Sequence, residues 1–244
     1  MPSDHARQVL ADHYIEGLTR ELGGEAGSPR VVDLGCGPGD SVDAFRRADP
    51  GVRWLGLDLP RSPEVATRTR TDAEFLTFDG VAIPLEDASQ DLVFCKQVLE
   101  HVERPGPLLA EVGRVLRPGG VFVGSTSQLE PYHSLSHFNY TPVGLTRLIE
   151  ESGMRVTELR PGIDALTLIV RRGLGGPAFF RRWWARESPL NGVVGAFGRA
   201  ARLNVRQANA MKLLFCGQFC FEARREPSAQ SVILSVDRST RTAP

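Results

Sequence analysis

Short apolar runs alternate along the chain with longer stretches in which apolar positions recur every three or four residues. The runs at residues 30–34, 53–57, 74–78, 91–95 and 120–125 read as strands, with 154–159 as the next and 214–223 as the last. Strands buried on both faces read as continuous rather than alternating apolar runs. Their interleaving with helical segments therefore predicts an α/β fold with a mostly parallel sheet and helices on both faces. Residues 4–22 carry Val9, Leu10, Tyr14, Ile15, Leu18 and Leu22 near a 3.6 period and predict an amphipathic helix stopped by Gly23-Gly24. Residues 107–116 predict a helix closed by Arg117-Pro118-Gly119-Gly120, and Thr141-Pro142 opens another that runs to Glu151.

At 244 residues the chain suits one domain, taken as residues 1–225, with residues 163–212 as a helical insert before the last strand. Beyond Arg225 the composition turns to Ser, Thr, Arg and Pro, and residues 226–244 are expected to be poorly ordered. A formal charge of zero gives no general attraction to nucleic acid, so no nucleic-acid partner is expected. The four cysteines, Cys36, Cys95, Cys216 and Cys220, lack paired C-x-x-C spacing and read as reduced, buried thiols. No basic segment followed by an apolar one opens the chain and no apolar run is long enough to span a bilayer, which predicts a cytoplasmic protein.

Chemistry concentrates first in Val31-Val32-Asp33-Leu34-Gly35-Cys36-Gly37-Pro38-Gly39-Asp40. A short buried strand runs into three alternate glycines, the composition of a tight turn where backbone approaches a ligand. The third glycine comes one position early for G-x-G-x-x-G, and Asp33 lies inside the strand end, so the spacing argues against NAD. Asp58 ends the second strand 25 positions after Asp33, where a carboxylate can accept hydrogen bonds from both hydroxyls of a ribose.

Residues 30 to 160 resemble the class I S-adenosylmethionine-dependent methyltransferases, in particular the small-molecule group whose first motif reads "DLGCGxG". The resemblance implies a Rossmann-like seven-stranded sheet, an enzyme, and S-adenosylmethionine as methyl donor. It also implies that Asp33, Gly35, Cys36, Gly37 and Gly39 face the donor's amino-acid and ribose portions, with Asp58 and Leu59 at the ribose. Asp79 and Gly80 would lie by the adenine, and Cys95 and Gln97, after the fourth strand, would also bind the donor. On local sequence alone Asp79 is better explained as the head of an Asp-Gly turn, and its place before the run Ile83 to Val93 tips the balance to the donor.

Methyl transfer from a sulfonium needs alignment, and a base only where the acceptor must lose a proton. The run Pro131-Tyr132-His133-Ser134-Leu135-Ser136-His137-Phe138-Asn139-Tyr140 is similar to an acceptor-loop pattern of sugar and glycan methyltransferases, departing from it at Ser136, Phe138 and Asn139. It nominates His137 and His133 as bases, with Tyr132 and Tyr140 as acceptor-binding residues; His101, after the fourth strand, is read as a cleft-lining residue beside the acceptor. O-methylation of a small hydroxylated acceptor is the leading expectation. N- or C-methylation and a non-catalytic donor-binding module are the alternatives.

Some relatives hold a divalent ion on E-x-x-E-H, but this chain has Gln97-x-x-Glu100-His101, and an amide is a weak ligand for a hard cation. A metal is not favoured. Residues 178–186 mix Phe179, Phe180, Trp183 and Trp184 with arginines, a pattern open to a cleft cap, a homodimer surface or, less favoured, a membrane contact.

Overall fold

The computed structural model describes residues 4–24, 27–132 and 134–227. His133 and residues 228–244, most of the expected tail, lie outside the described residues.

Seven strands form one sheet in the order β3-β2-β1-β4-β5-β7-β6. They are β1 (Arg30–Leu34), β2 (Arg53–Asp58), β3 (Glu74–Thr77), β4 (Gln90–Lys96), β5 (Leu116–Ser127), β6 (Met154–Pro161) and β7 (Gln218–Arg225). The first five run parallel, and β7 lies antiparallel between β5 and β6. The strand side chains separate by parity, as the pleat requires. Val32 and Leu34 pack with α4 (Pro105–Val115) and α5 (Pro142–Glu150) on one face. Val31 packs with α1 (His13–Leu22) and α2 (Val42–Ala48) on the other. β1 and β4 are neighbours although β2 and β3 intervene in sequence, so the chain reverses its winding direction there and leaves a crevice at the strands' carboxyl ends.

Two expected elements are corrected. The N-terminal helix starts at His13, not residue 4, and the segment before it crosses the fold as turns that bury His5, Gln8, Val9 and Ala11. Buried Gln8 decides this. Its Oε1 accepts from Ser188 N at 2.9 Å, Ser188 Oγ at 2.8 Å and Asn191 Nδ2 at 2.8 Å, while its Nε2 donates to the Trp183 carbonyl at 2.6 Å. Those distant bonds outweigh the local apolar periodicity.

The last strand begins at Gln218, because Leu214 and Phe215 still belong to a helix. The expected insert is present between β6 and β7 as α6 (Ala165–Gly173), a 3-10 turn (Ala178–Trp183), α7 (Pro189–Ala200) and α8 (Val205–Phe215), following a short α3 (Pro63–Ala66) earlier in the chain. Asp164 starts α6 by accepting from the Thr167 N–H at 2.7 Å, and Asn204 with Gln207 forms a capping box on α8. Among the described residues no helix is long and apolar enough to cross a membrane.

Candidate active site

The glycine loop is fixed by its neighbours before any ligand arrives. Gly35 N and Cys36 N both donate to the Leu57 carbonyl, at 2.8 and 3.1 Å, tying the loop to the end of β2. Gly35 (φ +70°), Gly37 (φ +52°) and Gly39 (φ +88°) all occupy the left-handed region. A Cβ on Gly35 would also overlap the Val98 side chain.

Asp58 bridges the two loops, accepting from Gly37 N on Oδ2 at 2.7 Å and from Leu59 N on Oδ1 at 2.7 Å. A carboxylate offers about four lone-pair directions, so each oxygen keeps one for a further donor.

A cavity of 240 Å³ opens at the β1/β4 crossover, lined by Asp12, Asp33, Gly35, Cys36, Asp40, Ser41, Phe94, Lys96 and Gln97. Asp33 is its buried acid. Burial pushes its carboxyl up to about 7, against a hydrogen bond from Ser41 Oγ at 2.5 Å that favours the ionised form. Trp54 Nε1 donates in turn to Ser41 Oγ at 3.0 Å, which orients that hydroxyl. Opposite charge comes from Lys96, whose Nζ lies 2.5 Å from Asp12 Oδ2. A larger recess of 660 Å³ is lined by Arg30, Arg53, Glu74 and Gln90 among others, which begin their strands, so it lies at the end of the sheet away from the glycine loop.

The segment expected beside the adenine is a turn. Gly80 (φ +90°) sits so close to Leu59 that a Cβ would come within 3.2 Å of its Cδ2. Asp79 Oδ1 accepts from Val81 N at 2.8 Å and Ala82 N at 2.7 Å, and these bonds hold its carboxyl below the usual range. That is the turn role its local sequence predicts. Arg68 was not anticipated: it stacks over Phe75 at 3.9 Å, and its Nε and Nη2 donate to the Gly37 carbonyl at 2.9 and 2.6 Å. One of three arginines in a polar stretch, with Arg61 and Arg70, it carries no local sign of such a role.

Behind the cavity, Glu100 joins the motif after β4 to the loop after β5. Its carboxylate is fully buried and accepts from Thr126 Oγ1 at 2.9 Å and Ser127 Oγ at 3.1 Å, and its carbonyl accepts from His137 N at 2.7 Å and Phe138 N at 3.1 Å. Burial raises its pKa. Gln97 (φ +57°) fits this network with its amide oxygen toward Ser125 Oγ and its nitrogen 3.0 Å from Glu100 Oε1, an orientation assigned from the bonding pattern. Glu100 thus acts as a hydrogen-bond hub, turned away from the open cavity.

The remaining expected residues divide. Asp33, Gly35, Cys36 and Gln97 share the cavity, and Gly37, Asp58, Leu59 and Gly80 continue from it. Two assignments are corrected. Cys95 is wholly buried in the core beside Leu99, with its thiol raised by burial, so it supports the floor without facing it. Tyr140 is buried too and donates its hydroxyl to the Leu99 carbonyl at 3.1 Å, which anchors the loop. Tyr132 and His137 are exposed on the loop and His101 is half-buried in a 3-10 turn; none of the three lines the cavity. Asp12, Lys96 and Ser41 were missed, because ordinary charged and polar residues from three segments become a site only when the fold joins them.

Residues 32–124 match the family described as "Methyltransferase domain". An uncharacterized methyltransferase of Mycobacterium avium is 40% identical over 126 residues, covering 48% of this chain and 48% of that protein. The human thiol S-methyltransferase TMT1B is 35% identical over 128 residues, covering 49% and 50%. An S-adenosylmethionine dependent methyltransferase from Mesorhizobium loti shares the fold at a TM-score of 0.52 and 21% identity, covering 86% of this chain and 96% of that one. Residues 32–124 thus carry a methyltransferase domain, and the sheet has the fold of the class I S-adenosylmethionine-dependent methyltransferases. It spans about half the length of the curated relatives it matches.

Proposed function

We propose that this chain transfers the methyl group of S-adenosylmethionine to a small hydroxylated acceptor, a sugar or secondary metabolite, presented at residues 128–140. The observation that carries the reading is the 240 Å³ cavity at the β1/β4 crossover, which sets a buried carboxylic acid and a lysine around a glycine loop. An amino-acid end carries both charges, and this cavity offers a partner for each. Asp33 receives the ammonium and Lys96 the carboxylate. The remaining lone pairs of Asp58 accept from the ribose hydroxyls, and Leu59 with Gly80 packs against the base. When bound, the donor supplies a methyl group on a sulfonium, so no leaving group has to be activated by the protein.

The acceptor's proton is the protein's task. Imidazole is suited to take a proton near neutral pH; His137 lies on the loop that Glu100 holds in place, and His133 precedes it by four positions in the sequence. We expect His133→Ala with His137→Ala to lower turnover by about 10²–10⁴, the span of general base catalysis, while affinity for the demethylated donor is unchanged. Full turnover in the double variant would refute the assignment.

A thiol acceptor is the second reading, favoured by the relative named a thiol S-methyltransferase. A thiol ionises far more readily than an alcohol, so on this reading the double variant retains its rate with thiols. Donor consumption measured against matched alcohol and thiol panels separates the two.

A further inference from the structure

The insert concentrates charge that the whole chain conceals. Residues 163–212 hold nine basic side chains and two acidic ones, a net of +7, although the formal charge of the chain is zero. The two acids are internally engaged: Asp164 caps α6, and Glu187 pairs with Lys212 at 2.9 Å. Eight arginines are left among the basic residues.

α6 carries apolar residues on its outer as well as its inner face. Thr167 and Leu168 face inward, while Leu166, Ile169 and, one turn past, Leu174 are each more than half exposed, on a stripe with Val170. Arginines and aromatic rings stand next to this stripe in the chain. Arg172 Nη2 donates to the Tyr132 carbonyl at 2.5 Å, and Arg171 stacks over Trp184 at 5.2 Å. Arg182 stacks over Trp183 at 4.7 Å and lies 5.7 Å from the ring of Phe179, itself more than half exposed. The aliphatic stripe and the aromatic–arginine contacts therefore lie on neighbouring elements of the same basic insert.

We propose that this insert docks on the surface of a bilayer carrying anionic headgroups. The aliphatic stripe and Phe179 enter the boundary of the acyl region, and the arginines meet the phosphates, the division of labour of interfacial helices. Single-stranded nucleic acid would use the arginines and aromatic rings but leaves the Leu166–Ile169–Leu174 stripe without a partner. A second copy of the chain would set +7 against +7 across a symmetric contact. This inference reads binding, not turnover, and stands apart from the methyl-transfer proposal.

The test is co-sedimentation of the full chain with vesicles of phosphatidylcholine alone and of phosphatidylcholine with an equal part of phosphatidylglycerol. Strong binding to the anionic vesicles, weak binding to the neutral ones and release by high salt are expected. Arg181→Ala with Arg186→Ala should weaken partitioning about 25-fold, at about fivefold per cation. Leu166→Ser with Ile169→Ser should weaken it about tenfold or more. Both variants should bind the demethylated donor like the wild type, which verifies their fold. Absent binding, equal binding to the two vesicle types, or wild-type binding by either variant overturns the proposal. So does displacement from the vesicles by single-stranded RNA, or a dimer in light scattering that the apolar variant abolishes.

Discussion

Asp33→Asn tests the donor site through two effects of opposite sign. The carboxyl lies near 7 in the fold against an ordinary value of 3.8, and burial is the cause. Below about pH 4 the acid is protonated in both folded and unfolded chains and costs nothing. Between about pH 4 and 7 the unfolded chain ionises first, so folding is penalised progressively, and above pH 7 the penalty is constant. A shift of about three units corresponds to at most about 4 kcal/mol. The asparagine can still accept from Ser41, so the variant should be more stable than the wild type at pH 8 and gain nothing at pH 4.

Donor binding should respond the other way. If ionised Asp33 pairs with the donor's ammonium, the competent fraction rises from about a tenth at pH 6 to about three-quarters at pH 7.5, an affinity gain of about eightfold. The variant should lose this slope and bind about tenfold to a hundredfold more weakly, the worth of a buried charge-assisted bond. Urea denaturation at both pH values and calorimetry with the demethylated donor supply the readouts. A variant no more stable than the wild type at pH 8, or one that binds the donor equally well, would refute the reasoning. The outcome expected is a residue that costs stability for the sake of binding.

Gly35→Ala forces φ +70° on a residue with a Cβ and drives that atom into Val98, so a loss of about 2 kcal/mol or more and failure to retain the donor are expected in denaturation and calorimetry. Gln8→Ala removes the acceptor used by Ser188 and Asn191 inside the protein, and the denaturation midpoint should fall by the equivalent of about 2–3 kcal/mol. Excess chelator should leave turnover unchanged, since Glu100 spends its carboxylate on Thr126 and Ser127; activity lost to chelator and restored by a divalent ion would contradict this.

Legibility tracked how local each determinant is. The glycine loop could be read directly, because positive φ at alternate positions leaves glycine as the ready choice, and Asp58 followed from its place at a strand end. The insert could be located by counting residues beyond the sixth strand. The N-terminal segment could not: Val9 and Leu10 fit a helical period as well as they fit the extended crossing, and what selects the crossing is the contact of Gln8 with residues 183–191. The start of β7 was obscured by the apolar run 213–216, which ends a helix before it leads to a strand. Tyr140 and Glu100 carry polar groups that suit a pocket equally well, and only their buried partners show that they hold the loop. Lys96 had no readable sign, since its partner Asp12 is 84 residues away.

The staple at Gln8 has a consequence for biosynthesis. The glycine loop leaves the ribosome early, with the first strand, but the wall bearing Asp12 follows a segment held by Pro161, Ser188 and Asn191. The last of these contacts closes a loop of 183 residues. A nascent chain stalled inside the insert therefore has a finished glycine turn and an unfinished pocket. The donor site proposed above is therefore complete only once the chain beyond residue 191 has folded back onto Gln8.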